Sequence, residues 1–176
     1  MKKLTKLAAA ALTGVALLIG SNVKAQSKTA DPSPWRLGIG LEAGAPTGNA
    51  HDGSNFELGG TARLQYGADK GLAWTLTSGY YNFFGKEIAT GVKTSSAGLV
   101  PVKLGIKAYL ADSFYFGAEA GAGFETVSGG DTKLILSPGL GWSSRSWDVG
   151  ARYENFSGQG NNYGLVGLRI AYGFAL

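Results

Sequence analysis

Apolar side chains recur at every second position through most of this chain, and this period limits the folds open to it. Eight segments of about ten residues show the alternation, separated by clusters of Gly, Ser, Asn and Asp. A period of two is that of a β-strand with two unlike faces, whereas an amphipathic helix repeats every 3.6 residues. The segments begin at Trp35, Phe56, Leu72, Val100, Phe114, Leu134, Trp147 and Val166. The sequence therefore predicts an all-β fold with eight antiparallel strands.

The two faces of these segments differ in charge. In the fourth segment Val102, Leu104 and Ile106 share one face, while Lys103 and Lys107 lie on the other. Almost every charge of the eight segments falls on this second face, six basic and five acidic: Arg36, Glu42, Glu57, Arg63, Lys103, Lys107, Glu119, Asp148, Arg152, Glu154 and Arg169. The same face is rich in glycine, which weakens strand interiors unless crowding requires it. Near-balanced charges among glycines predict a narrow enclosed lumen in which the charges pair.

The first 25 residues form a separate segment. A lysine-rich start precedes the apolar run Leu7–Gly20, and Val23-Lys24-Ala25 supplies a small-residue cleavage signal. Residues 1–25 are predicted to be a signal peptide, with a buried helix as the alternative, followed by a short extension at 26–34 and a barrel domain at 35–176. Four lysines and no acid lie in this segment, so the rest carries 12 basic and 12 acidic residues. This neutrality argues against a nucleic-acid partner.

The connections between segments alternate in length. No later stretch reaches the ~20 apolar residues of a membrane-spanning helix, so a closed barrel is the remaining way to cross a bilayer. Gly67–Gly71, Ala111–Ser113 and Ser143–Ser146 are short, whereas Ala45–Asn55 and Asn82–Leu99 are long. Transmembrane barrels have short turns at one end and longer loops at the other. The alternation therefore predicts an up-and-down transmembrane barrel.

The aromatic residues collect at the segment ends. Trp35, Tyr66, Trp74, Trp142, Trp147 and Phe174 lie toward the short turns, together with Phe114. Phe56, Tyr80, Phe124 and Tyr153 lie toward the long connections. Two aromatic belts around an aliphatic middle are typical of strands that cross a membrane.

The end of the chain carries the most specific motif. Leu168–Leu176 alternates to its last residue, with Tyr172, Phe174 and Leu176 in one phase. With the eight segments, it resembles the small eight-stranded outer-membrane barrels of Gram-negative bacteria, the OmpX-like group and the transmembrane domain of OmpA. The resemblance implies an integral outer-membrane protein in contact with lipid, a C-terminal signal for the barrel-assembly machinery, and outer loops that contact surfaces or partners. That signal usually ends on an aromatic residue, and here Leu176 stands in that position.

Two prolines are the main irregularity of this strand assignment. Val100–Gly105 and Ser137–Gly141 also resemble pieces that recur in related small barrels, and each contains a proline. Proline cannot donate a hydrogen bond to a strand ladder, and a closed barrel has no free edge. We expect a bulge or local break at Pro138, and we expect Pro101 near the start of its strand.

Composition excludes several site classes. The chain has no cysteine and one histidine, which excludes disulfides and sites built on Cys or several His ligands. We therefore predict no metal site, no cofactor and no catalytic residue. Eight strands enclose a lumen that their own side chains fill, so a general solute pore is disfavoured. A structural or surface-interaction role through the outer loops is predicted.

Two other functions stay open at this point. Some eight-stranded outer-membrane barrels modify lipid A with a His and Ser pair, and the single histidine, His51, lies beside Asp52 and near Ser54. The second alternative is a soluble lipid carrier resembling a lipocalin. That barrel would turn Trp35, Leu37, Ile39 and Leu41 inward and expose Arg36, Arg63, Lys103 and Arg169.

Overall fold

The computed structural model describes residues 34–67, 71–89, 92–158 and 162–176. The predicted signal peptide at 1–25, and the predicted extension up to residue 33, lie outside the described residues. The described part therefore corresponds to the predicted barrel domain.

Ten strands and one short helix make up the described chain. They are β1 (Trp35–Gly48), α1 (Asn49–Gly53), β2 (Ser54–Tyr66), β3 (Leu72–Gly85), β4 (Glu87–Ala89), β5 (Val92–Lys93), β6 (Ala97–Tyr109), β7 (Phe114–Glu125), β8 (Thr132–Ser143), β9 (Trp147–Ser157) and β10 (Tyr163–Ala175). Helix α1 has five residues, and no helix of the described chain is long and apolar enough to cross a bilayer.

Eight of the strands close into an antiparallel barrel. Around it the order is β1, β2, β3, β6, β7, β8, β9 and β10, and β10 pairs with β1 to complete the circle. Leu41 lies opposite Ile170 at this closure. Each barrel strand thus pairs with the barrel strands before and after it, which confirms the predicted up-and-down topology. Strands β4 and β5 form a separate hairpin.

The two ends of the barrel differ in their connections. We define the turn end by connections 67–71, 110–113 and 144–146, and the loop end by 49–53, 86–96, 126–131 and 158–162. Strands β1 and β3 continue to Gly48 and Gly85, beyond the predicted segments, because backbone pairing continues where the apolar alternation stops. The first two long connections are correspondingly shorter than predicted, and the second contains the β4–β5 hairpin.

Adjacent side chains along the strands point to opposite environments. Lys103 is 0% exposed and its neighbour Leu104 is 59% exposed; Arg169 is 3% exposed and Ile170 54%. Charged residues therefore face inward and aliphatic residues outward. Leu37 is an exception in burial, since it shares the outward phase but is only 7% exposed. Its cross-strand partners on that face are Leu64 and Phe174.

Two of the three prolines in the barrel strands, Pro101 and Pro138, each interrupt one ladder. Between β8 and β9 the pairing stops after Leu136 and resumes at Gly139 in the same register, which confirms a local break at Pro138 without a bulge. Pro101 lies further into its strand than expected, four residues after Ala97, because β6 begins earlier than the alternation indicates. Its ladder with β3 has a similar gap between Leu99 and Val102.

The apolar core of the barrel sits inside its loop end. Six buried side chains pack there, which we call the apolar cluster: Tyr81, Phe83, Leu99, Ile135, Phe156 and Leu165. The rings of Phe83 and Phe156 meet edge to face at 6.2 Å between centroids, and Tyr163 stacks on Phe156 at 4.8 Å. The lumen therefore has an apolar layer beside the long connections and a charged layer beneath it.

Candidate functional site

The charged layer of the lumen contains a closed circuit of ion pairs, which we call the charge ring. Bases and acids alternate around it in the order Glu42, Arg152, Glu154, Lys103, Glu119, Arg63, Asp148, Arg169 and back to Glu42. Strands β1, β2, β6, β7, β9 and β10 contribute to it. Eight of the eleven charges predicted for the lumen thus meet in one neutral network.

Glu119 joins two bases on one side of the charge ring. Its Oε1 lies 2.9 Å from Nη2 of Arg63, and its Oε2 lies 3.2 Å from Nζ of Lys103. Lys103 also contacts Glu154, whose Oε1 is 3.0 Å from Nε of Arg152. Removing one partner of a buried ion pair leaves the other charge without compensation, at a cost of about 3–5 kcal/mol. These contacts therefore depend on one another.

Arg169 closes the opposite side of the ring. Its Nε lies 3.1 Å from Oε1 of Glu42, and its Nη1 lies 3.4 Å from Oδ1 of Asp148. Arg152 contacts Glu42 as well. Asp148 is 3.9 Å from Nη1 of Arg63, which completes the circuit.

Two threonines hold members of the ring in place. Thr61 donates to Oε1 of Glu42 at 2.6 Å and accepts from Nε of Arg169 at 3.2 Å. Thr77 donates to Oε1 of Glu119 at 2.8 Å and accepts from Nε of Arg63 at 2.9 Å. Hydrogen bonds in which one partner is ionised are stronger than neutral ones. Both hydroxyls lie on the predicted polar face, but the alternation gave no sign of this role.

Two tyrosines also contact the charged side chains. The phenol oxygen of Tyr81 accepts from Nζ of Lys103 at 3.0 Å and from Nη2 of Arg152 at 3.1 Å. The phenol of Tyr115 donates to Oδ1 of Asp148 at 3.0 Å. Lys107 contacts the same carboxylate, and its ammonium lies 4.1 Å from the Tyr115 ring centroid. Lys107 thus joins the ring as a side branch.

The remaining two predicted lumen charges lie outside the ring. Arg36 is at the turn end, where Nη1 donates to the carbonyl of Ser144 at 2.8 Å. Glu57 is fully buried near the apolar cluster, opposite Phe83 in the β2–β3 ladder. Within the described part of the chain, neither carboxylate oxygen of Glu57 has a hydrogen-bond partner.

The lumen contains little empty space. Two cavities of about 40 Å³ and about 10 Å³ lie in the charged layer, and Arg63 and Arg169 line both. A water molecule needs at least about 10–15 Å³ of such space, so the two cavities have room for no more than a few water-sized particles. The apolar cluster covers the charged layer on the loop side. This arrangement fits a filled barrel rather than a solute channel.

The outer wall carries exposed aromatic residues near the turn end. Trp35, Tyr66, Trp74, Trp142, Trp147 and Phe174 are all exposed there. Trp35 and Tyr66 lie 4.7 Å apart between ring centroids. Tyr172 contacts both Trp147, at 5.3 Å, and Phe174, at 4.9 Å. Two residues of the predicted C-terminal signal therefore share the outer face with this belt, and Leu176 follows β10.

The residues of the enzyme alternative do not form a catalytic arrangement. His51 and Asp52 lie exposed in α1. The Ser54 hydroxyl contacts the carbonyls of Phe84 at 2.7 Å and Phe56 at 3.2 Å. Among the described residues, no group of three or more His, Cys, Asp or Glu side chains could hold a metal ion.

The lipid-carrier alternative is wrong in its orientation. It requires Ile39 and Leu41 to line an internal cavity, yet both are exposed on the outer wall. It also requires exposed charges, whereas Arg63, Lys103 and Arg169 are buried in the lumen.

Comparisons with solved structures show the fold. Ail, the attachment invasion locus protein of Yersinia pestis, is 15% identical with a TM-score of 0.58, covering 81% of this chain and 99% of Ail. Ail has also been solved in a phospholipid bilayer nanodisc (15%, TM-score 0.55, covering 78% and 99%) and with the heparin analogue sucrose octasulfate (17%, 0.50, covering 80% and 97%).

The N-terminal β-barrel domain of Pseudomonas aeruginosa OprF has the same fold. It is 13% identical with a TM-score of 0.51, covering 82% of this chain and all of that domain. No protein-family model matches the sequence, and comparison with curated proteins gives no match. The chain thus has the fold of the small eight-stranded outer-membrane barrels, as the resemblance implied.

Proposed function

We propose that this chain is an integral outer-membrane protein of a Gram-negative bacterium, with a structural or surface-interaction role through its loop end. The observation that carries this proposal is the burial of neighbouring residues: Lys103 is buried in the charge ring while Leu104 stands exposed on the wall. A large exposed apolar surface marks a membrane or protein contact. A continuous apolar wall between aromatic belts suits lipid.

The proposal includes the route to the membrane. Residues 1–25 act as a signal peptide, and Tyr172, Phe174 and Leu176 form the signal that the barrel-assembly machinery reads. The aromatic belt at the turn end lies at the periplasmic interface, and the loop end faces the outside of the cell.

Membrane fractionation of the full chain expressed in a Gram-negative host tests this proposal. We expect a shortened chain in the outer-membrane fraction that resists extraction with urea and migrates differently on a gel before and after boiling. A processed chain that stays in solution without detergent contradicts the membrane assignment. If residues 1–25 are retained in a chain that reaches the outer membrane, only the prediction of a cleaved signal peptide is contradicted.

The filled lumen leads us to propose that the barrel is not a general pore. The charge ring and the apolar cluster occupy the lumen one above the other, so a solute would have to displace both. Planar bilayers containing the purified protein are expected to show no stable conductance steps. Regular steps of uniform size would contradict this part of the proposal.

The loops are proposed to form the interaction surface. Thr94 links two of them, since its hydroxyl contacts the carbonyls of Gly53 at 2.5 Å and Lys86 at 3.0 Å. The four loop-end connections carry two lysines and three acidic residues. Because a polysulfated ligand requires a basic surface, we expect this protein to be retained only weakly on heparin. Ail, by contrast, has been solved in complex with a heparin analogue. Salt-resistant retention would contradict this expectation.

The enzyme alternative is tested by a single substitution. We expect His51→Ala to leave lipid A unchanged when the protein is expressed in a host whose lipid A is analysed by mass spectrometry. A modification that appears with the natural protein and disappears with His51→Ala would overturn the non-enzymatic proposal.

A further inference from the structure

The smaller lumen cavity, of about 10 Å³, lies at the turn end beneath the charge ring. Arg36 from β1, Gln65 from β2 and Arg169 from β10 line it. Glycines form part of its wall: a Cβ on Gly38 would lie 3.7 Å from Nη2 of Arg169, and one on Gly173 would lie 2.7 Å from Nη2 of Arg36. Both guanidinium groups therefore lie close to bare backbone.

Three hydrogen-bond donors at this cavity are unused. Nη2 of Arg36, Nε2 of Gln65 and Nη2 of Arg169 are all buried and have no hydrogen-bond partner among the residues that the structure describes. Arg169 is 3% exposed and Gln65 4% exposed. Guanidinium and amide nitrogens donate and do not accept. Leaving a buried donor unsatisfied costs about 1–3 kcal/mol, more for a charged group.

The charges around the cavity are also unequal. Arg36, Arg63 and Arg169 line it together with a single acid, Asp148. That carboxylate already contacts Arg63, Lys107 and Arg169. The ion pairs of the described chain include none to Arg36, whose Nη1 donates to Ser144 and, at 3.4 Å, to Ser143. Arg63 and Arg169 are also paired with Glu119 and Glu42 in the neutral charge ring. The side branch Lys107 and Arg36 therefore leave the turn end of the lumen with an excess of positive charge.

We propose that this cavity binds one small monovalent inorganic anion of halide size, with chloride as its ordinary occupant. The three unused nitrogens donate to it, and its charge compensates the excess. A water molecule accepts only two hydrogen bonds with its lone pairs, so it would leave one of the three donors unpaired. The cavity is close to the minimum size for one water-sized particle, which excludes phosphate, sulfate and carboxylates. This inference does not depend on the proposed cellular role.

Bromide, which scatters X-rays anomalously, locates the site directly. Crystals of the purified barrel grown in sodium bromide are expected to show one anomalous peak in contact with Arg36, Gln65 and Arg169. A water-sized density without anomalous signal at this position, or bromide confined to the protein surface, overturns the proposal.

Gln65→Glu removes the site with little change in shape. The new carboxylate replaces a donor by acceptors and pairs with the two arginines, so bromide is expected to be absent from this variant. Arg36→Met removes one of the three unused donors that line the cavity and is expected to lower bromide occupancy at least several-fold. This second variant decides the matter if Gln65→Glu does not fold.

Urea unfolding in detergent tests binding in solution. A ligand that binds only the folded state raises stability with its concentration. We expect replacement of sodium gluconate by sodium bromide at equal ionic strength to raise the urea midpoint of the natural protein relative to that of Gln65→Glu. Comparing the two proteins in the same salts removes general salt effects.

The matched control is Ser137→Ala, which alters only the larger cavity. It is expected to respond to bromide as the natural protein does. Equal responses of the natural protein and Gln65→Glu overturn the proposal, as does loss of the response in Ser137→Ala.

Discussion

The phenol oxygen of Tyr81 accepts a hydrogen bond of 3.0 Å from the ammonium of Lys103, at the boundary between the apolar cluster and the charge ring. Tyr81 is fully buried. Its ring packs with the cluster, and its oxygen accepts hydrogen bonds from Lys103 and Arg152. A buried tyrosine that finds a partner for its hydroxyl joins apolar and polar layers in one side chain. The two layers of the lumen are therefore coupled through this residue.

Tyr81→Phe is expected to destabilise the barrel by about 1.5–3 kcal/mol, because hydrogen bonds to charged groups contribute about that much. The ring stays in the apolar cluster, so the loss reports the hydrogen bonds. Urea unfolding in detergent micelles measures it. The control is Tyr80→Phe on the exposed outer face, with an expected change within about 0.5 kcal/mol. Equal effects of the two substitutions would contradict the coupling.

Glu119 and Glu57 are both lumen glutamates with opposite surroundings, and they test the charge ring. Glu119 contacts Arg63 and Lys103, so Glu119→Gln is expected to cost about 3 kcal/mol. Glu57→Gln removes a buried charge that has no hydrogen-bond partner in the described residues, so it is expected to cost less than about 1 kcal/mol or to stabilise. Urea midpoints of both variants provide the measurement. If Glu57→Gln lost more stability than Glu119→Gln, the carboxylate of Glu57, rather than that of Glu119, would be the one whose charge is balanced by neighbouring bases.

The alternation predicted the strands because a period of two is a local property of the sequence. Lys103 and Leu104 show this, since their opposite environments follow from neighbouring positions alone. The contacts of the ring could not be predicted in the same way. Glu119 meets Arg63 and Lys103 because the strands are staggered around the barrel, and the stagger is not encoded in any single segment.

The apolar cluster was not predicted, for a different reason. Phe83, Leu99, Phe156 and Leu165 lie beyond the ends of the alternating segments, within or beside the connections. There the inward side chains are apolar, so the contrast between the two faces disappears and with it the strand signal. Tyr81 and Ile135, on the predicted inner faces of the third and sixth segments, were the available indications.

Leu104→Arg tests the orientation of the outer wall. In a bilayer an arginine on the lipid face near the midplane costs about 2–4 kcal/mol, falling to about 0–1 kcal/mol near the interface. Leu104 lies in the middle of β6 and is exposed, so we expect the larger cost when unfolding is measured in lipid vesicles. Leu110→Arg, in a connection at the turn end, serves as the control and is expected to show the smaller cost. Similar costs at the two positions would mean that the wall does not lie in hydrocarbon.

Pro138→Val is expected to repair the break between β8 and β9. The register on both sides of the gap places Pro138 opposite Tyr153, and valine supplies the N–H that proline lacks. The new hydrogen bond contributes about 0.5–1.5 kcal/mol, but losing proline frees the unfolded chain and costs about 0.4–1 kcal/mol.

Because these effects nearly cancel, the stability of Pro138→Val is expected to change little, and amide exchange is the decisive measurement. We expect a slowly exchanging amide at position 138, and none gained in the control Leu140→Val, which lies in regular ladder. Rapid exchange at position 138 would show that the break has a cause other than the missing donor.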